Sequence, residues 1–269
     1  MKNFLRILFS SFVLVLFFGC MTTTTSAGNV GADRNQLMIV SEAQMEQSAN
    51  ESYAQVIAEA KKSGTLNVDA TTVARVRTVA KNLIAQVGAF REDALSWNWQ
   101  VNVISDSTVN AWCMPGGKIV VYTGIIQSLN LTDAQLAAVM GHEIAHALRE
   151  HSREQASSET LKNAGIAVVS SVAGLNETGN SLLGLAAQYT LTLPFSRSHE
   201  TEADHIGTEL MARAGYDPNE AVTVWEKMSA LDGSQIPEIM STHPSNTSRI
   251  KDLTEISKKV YPLYEAAIK

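Results

Sequence analysis

The stretch MGHEIAHALREH, residues 140–151, holds three of the chain's six histidines. Two of them are four residues apart, and on an α-helix that spacing puts both imidazoles on one face, where they can meet a single ion. His142 and His146 are therefore candidate metal ligands. Glu143 between them completes H-E-x-x-H, a pattern in which the glutamate can take a proton from a zinc-bound water. His151 lies five residues past His146, and at about 100° per residue a continuing helix turns it to the opposite side. It is expected to be a surface histidine. A helix with two histidines and no metal is the plain alternative.

A catalytic zinc keeps three protein ligands and one open position, so a third donor must come from elsewhere. One source would be a further histidine in HExxHxxGxxH. Here Arg149 stands at the glycine position and Ser152 at the histidine position, which excludes the metzincin arrangement. Downstream, HETEAD offers His199, Glu200, Glu202 and Asp204. Glu200 and Asp204 are four apart and share a helix face, while Glu202 falls well round the helix. An E-x-x-x-D arrangement lets Glu200 bind the ion while Asp204 accepts the other N–H of a ligand histidine. The competing reading of this charge run is an acidic solvent face.

Such residues need elements to hold them. Thr132-Asp-Ala-Gln135 matches the capping box that opens a helix, and the HExxH stretch follows at once, so it is placed on that helix. Residues 97–105 (WNWQVNVIS) alternate apolar and polar side chains, the period of a half-buried strand. Residues 110–124 (NAWCMPGGKIVVYTG) read as two strand segments joined by a turn at Pro115-Gly116-Gly117. Earlier, apolar residues recur at three- and four-residue intervals over about 34–62 and 69–94, which predicts two amphipathic helices. Residues 164–193 are rich in small and apolar side chains but broken by GLNETGN, which predicts a packed helical hairpin and not a membrane span. SRSHETEADHIGTELMARAG is a helix pattern ending at Gly215. DPNEAVTVWEKM begins the next helix, and THPSNTSRIKDL leads into a last amphipathic one. The expected fold is α+β, mainly α, with a small β-sheet next to the HExxH helix, as one domain over 34–269.

With 45% apolar residues in 269, the chain can bury a large core. Its formal charge of −6 argues against a nucleic-acid partner, which needs a concentrated basic face. The opening MKNFLRILFSSFVLVLFFGC combines a basic start with a short apolar run and then Gly19-Cys20. This predicts a signal peptide over 1–19, too short to span a bilayer. Its end resembles a bacterial lipoprotein signal, with lipid attached to Cys20, although Phe17 stands where Leu is usual. Met21 in place of Asp after that cysteine resembles lipoproteins sent on to an outer membrane. The polar run that follows is expected to be a flexible tether over 20–33. Cys113 is then left without a disulfide partner and is expected to be a buried small residue.

Taken together and in order, GHEIAHALREH, SRSHETEADHIG and STHPSNTSRI resemble the gluzincin zinc-metallopeptidase family of HtpX, the mitochondrial protease Oma and the CAAX prenyl endopeptidase. Within it the chain looks most like the soluble periplasmic lipoprotein peptidase branch (LoiP-like). The likeness runs from about residue 110 to 250 and includes the strand-turn-strand before the helix. It implies a zincin-like domain and one zinc ion per chain, held by His142, His146 and Glu200. It further implies Glu143 as general base and Asp204 supporting a ligand. His243, of the His-Pro segment, would lie near the metal as a resting-state ligand or an oxyanion donor, with Arg249 shaping the site. Asn110 and Ala111 would bind an extended substrate by edge pairing.

The same resemblance implies a metalloendopeptidase anchored by lipid in a bacterial envelope, facing the periplasm and acting on unfolded or misassembled envelope proteins, with envelope assembly machinery as a partner. The competing class is a lipid-anchored, zinc-containing, chaperone-like binding factor, whose site would be closed by His243. A helical scaffold without metal is the third reading.

Overall fold

The computed structural model describes residues 21–172, 185–231, 238–243 and 247–269. The expected signal peptide, the lipid-attachment Cys20, the break at 174–180 and Pro244 lie outside the described residues. Side chains over 164–185 are likewise not described.

Helix α1 (Glu42–Lys62) starts later than its apolar pattern suggests, because Ser41 and Gln44 form a capping box. Upstream of that cap the chain is extended, with β2 (Gln36–Leu37) pairing antiparallel with β1 (Met21–Thr22). Helix α2 (Ala70–Ile84) is capped by Asp69, whose carboxylate accepts from the amides of Thr71 and Thr72. It ends ten residues short of the pattern, and two 3-10 turns, Val87–Ala89 and Asp93–Ser96, carry the chain to the sheet.

Three strands follow: β3 (Gln100–Ile104), β4 (Ala111–Met114) and β5 (Lys118–Tyr122), in spatial order β3-β5-β4. β4 and β5 form the expected hairpin, and β3 runs parallel to β5. The turn needs Gly116 and Gly117, whose φ values are +74° and +79°. Strand periodicity sorts the side chains: Ala111, Cys113, Ile119 and Val121 join the main core, while Trp112, Met114 and Val120 pack on the other face with Met45, Ala49 and Tyr53 of α1. Both faces are covered, so β4 and β5 are buried throughout apart from Tyr122, not half-solvated.

After the short α3 (Thr123–Ser128) comes α4 (Asp133–Leu148), which carries HExxH. Its capping box forms as the spacing requires: Thr132 Oγ1 accepts from Gln135 N, and Gln135 Oε1 accepts from Thr132 N, both at 3.2 Å. Residues 135–148 of this helix are all buried, and it is wrapped by β4, α2, α6 (Arg197–Arg213) and α7 (Glu220–Ser229). Helix α5 (His151–Val172) follows a sharp break, and a helical turn at Leu185–Ala187 runs into a π turn at Gln188–Thr192. The short α8 (Glu238–Thr242) and the long α9 (Thr247–Ala267) complete an α+β, mainly helical domain. None of the helices among the described residues is long and apolar enough to cross a membrane.

The segment expected as a tether is docked on this body. Val30 and Ala32 are buried, Ser26 N donates to Phe90 O, and the amides of Asn29 and Val30 donate to Glu209 Oε2 at 2.7 and 3.1 Å. The reason is local chemistry. Glu209 is a fully buried carboxylate that needs donors, and the two amides together with Arg213 supply them. A polar composition predicts flexibility only when the folded body offers no such partner.

Candidate metal centre

Two helices bring the donors together. α4 and α6 cross at glycines: a Cβ on Gly141 would stand 2.9 Å from Gly207 O, and a Cβ on Gly207 2.7 Å from His142 N. Only there can the backbones approach this closely, and the approach sets His142 and His146 of α4 opposite Glu200 and Asp204 of α6. α8 is tied down by Ile239 N to Val109 O (3.3 Å) and by Phe195 N to Thr242 O (3.0 Å), which carries His243 into the same space. α9 contributes Arg249.

The donor atoms converge. His142 Nε2 lies 3.1 Å from His146 Nε2 and 3.2 Å from His243 Nδ1, and His243 Nδ1 lies 2.9 Å from Glu200 Oε1. Glu200 Oε1 is 3.4 Å from His146 Nε2, and its Oε2 is 3.5 Å from His142 Nε2. A tetrahedron with ligand bonds of about 2.0–2.2 Å has edges of about 3.3–3.6 Å, close to these separations. All four residues are buried, at no more than 4% exposure. Three imidazole nitrogens and a carboxylate oxygen, buried at these separations, are a donor set of the kind zinc takes, so the residues present fit a zinc ion.

What surrounds the donors fixes their direction. Asp204 Oδ1 is 3.0 Å from His142 Nδ1, so the carboxylate accepts a hydrogen bond from that N–H and leaves Nε2 free to point inward. Arg249 binds the same carboxylate in a fork, Nε to Oδ2 at 2.6 Å and Nη2 to Oδ1 at 2.7 Å, and its Nη1 reaches Glu200 Oε2 at 2.7 Å. The guanidinium lies 3.4 Å over the Trp225 ring, which also meets His142 edge-on. Burial works to raise the Asp204 pKa, but the charges and hydrogen bonds of Arg249 and His142 together outweigh it and hold the carboxyl below its usual range.

Glu143, 2% exposed, points its Oε1 at no hydrogen-bond donor among the described residues; His243 Nε2 stands 3.5 Å away. Burial pushes its pKa up, against the pull of His243 and His142. A raised pKa and an unpartnered oxygen beside a metal site are what a general base requires. Asn110 and Ala111 are buried at the start of β4, the edge strand that packs on α4, and Ala111 N is held by Asn110 Oδ1 at 2.8 Å. Cys113, on the same strand, is buried and outside the donor cluster.

His151 is not at the surface. It is fully buried, with Nδ1 2.9 Å from His146 Nδ1 and Nε2 3.0 Å from Glu202 Oε2. The helical phase that would turn it outward is lost because α4 ends at Leu148, and Glu150 takes φ +51° before α5 starts. Glu202, Arg149, Phe195 and Trp225 also surround the donors, and residue spacing does not mark them as part of the site. Trp225 and Phe195 carry no motif. Glu202 stands in HETEAD two residues from Glu200, and helical phase turns it away from the donor atoms and towards His151.

Residues 70–257 match peptidase family M48. The chain is 41% identical over 158 residues to mitochondrial metalloendopeptidase OMA1 of Arabidopsis thaliana, covering 59% of this chain and 31% of that one. It is 29% identical to metalloprotease YcaL of Escherichia coli (59% and 61%) and 30% identical to the beta-barrel assembly-enhancing protease of the same organism (60% and 35%). The chain thus spans less than two thirds of the length of these relatives. The HExxH helix, the E-x-x-x-D helix and the family match agree, and the chain belongs to peptidase family M48, a family of zinc metallopeptidases.

Proposed function

We propose that the chain is a zinc-dependent metalloendopeptidase, with one zinc held by His142, His146 and Glu200. The reading is carried by one observation, the convergence of these donors beside the unpartnered Oε1 of Glu143. When bound, zinc supplies Lewis-acid chemistry, acidifying a water and polarising the scissile carbonyl. Glu143 takes the proton of the attacking water and returns it to the leaving amine nitrogen. His243 holds the fourth donor position in the arrangement seen, so its imidazole has to give way when substrate enters, and its N–H is then placed to meet the developing oxyanion.

The substrate reading rests on the sheet. β4 is an edge strand beginning at Asn110-Ala111, and an extended peptide can add to such an edge through its backbone. Only an unfolded stretch can do so, which favours unfolded or misassembled envelope proteins as substrates. The name of the beta-barrel assembly-enhancing relative supports an envelope setting, with assembly machinery near by. Lipidation at Cys20, a periplasmic face and an outer-membrane address complete the proposal and rest on the opening residues alone. The competing binding-factor reading draws on His243 as a fourth donor, but the relatives reported above are all named as peptidases or proteases.

The test is cleavage of casein by the chain from Met21 onward, beside Glu143→Gln, with bound zinc measured in both. One zinc in each and cleavage by the unsubstituted chain alone supports the proposal. Zinc in both and cleavage by neither favours the binding factor, and zinc in neither overturns the metal reading.

A further inference from the structure

The ligand histidines are supported unequally. His142 meets a carboxylate directly, but the Nδ1 of His146 meets another imidazole, that of His151. The proton positions follow from the partners. Glu202 Oε2 can only accept, so His151 Nε2 carries the hydrogen and its Nδ1 keeps a lone pair. The hydrogen between the two Nδ1 atoms therefore belongs to His146, whose Nε2 is left to face the donor cluster. Glu202 is itself fixed by Arg149 (Nε at 3.2 Å, Nη2 at 3.1 Å) and by Arg34 (Nε to Oε1 at 2.8 Å, Nη2 to Oε2 at 3.2 Å). The ring of His151 stacks on His199 at 4.4 Å and 16°, and Phe195 packs on His146 at 4.1 Å, so neither imidazole is free to turn.

We propose that His151 is a positioning residue for the metal centre: it accepts the Nδ1 proton of His146, and through Glu202 and Arg34 it ties that ligand to the docked N-terminal segment. One turn of α6 thus addresses both nitrogens of His146, Glu200 on the metal side and Glu202 through His151 on the other. Because Arg149 and Arg34 neutralise Glu202, the relay orients the ring more than it raises its basicity. Gln36 reinforces the link, donating to Arg149 O at 2.6 Å and to Glu154 Oε2 at 2.8 Å. The inference rests on the zinc reading above.

The experiment compares the full chain with His151→Phe, which fills the space without an acceptor, and His151→Asn, whose Oδ1 can stand near the position of Nδ1. Zinc affinity is read by competition with a chromogenic chelator, and ligand geometry by the visible bands of the Co2+ form. The expected result is a loss of about 10–100-fold in affinity and shifted bands for His151→Phe, with most of both restored in His151→Asn. Affinity within about twofold and unchanged bands in His151→Phe, or no restoration by Asn, would overturn the proposal. Should His151→Phe fail to fold, Glu202→Leu, which removes the acceptor for His151 Nε2, carries the test one link further out: a loss of about tenfold supports the relay and unchanged binding overturns it. If the unsubstituted chain binds no zinc, the metal reading fails instead, which is a separate outcome.

Discussion

Gly207 of α6 and His142 of α4 meet backbone to backbone, so closely that a Cβ on the glycine would stand 2.7 Å from the histidine amide nitrogen. The helix pair that carries the donors is therefore held at a separation only glycine permits. Gly207→Ala must push the helices apart, since the clash is with backbone and no side chain can yield. The expected cost is about 1–3 kcal/mol in unfolding free energy, together with weaker zinc binding. Urea unfolding and chelator competition would check it, and unchanged values in both would mean that the crossing is looser than described.

Asp204 is expected to matter through His142 and Arg249, without touching the ion. Asp204→Asn keeps the shape but removes the charge, and leaves one acceptor oxygen where the carboxylate offers one to His142 Nδ1 and a second to the Arg249 fork. Zinc affinity should fall by about 10–100-fold while the helical content seen by circular dichroism stays the same.

Metal removal should destabilise the fold, because ligand binding to the native state adds to its stability. With zinc about a thousandfold above its dissociation constant, a chelator should lower Tm by on the order of 10 °C. Glu143→Gln should show the same drop, since Glu143 is not among the four donors. A melting curve with and without chelator decides this, and no shift in either protein would count against a bound metal.

Glu154 gives a pH dependence that is independent of the metal. Burial works to raise its pKa, but hydrogen bonds from His199, Arg34 and Gln36 outweigh it and hold the carboxyl well below the usual range. A depressed folded-state pKa contributes stability that is present above the unfolded value, about 4.3, and is lost as pH falls below it. Glu154→Gln should therefore cost on the order of 2 kcal/mol at pH 7, with the gap to the unsubstituted chain closing below about pH 4.3. Urea midpoints of both proteins from pH 7 to 3.5 would show the convergence, and a gap independent of pH would refute it.

The amino-acid sequence by itself determined the HExxH face, the capping box at Thr132, the shared face of Glu200 and Asp204 and the β4–β5 hairpin. Each lies within one element or two joined by a tight turn, where the hydrogen-bond ladder sets the phase and spacing alone gives direction. The family was legible for the same reason, since its motifs are local. Tertiary structure decided what crosses between elements. His151 turned inward because one residue, Glu150, adopts φ +51° and resets the phase between α4 and α5. The docking of residues 21–37 depended on Glu209 and Glu202, more than 160 residues away in sequence. The donors themselves converge only because Gly141 meets Gly207. No periodicity encodes such partners: a side chain's direction follows from its own helix, but what it meets is set by how the helices pack.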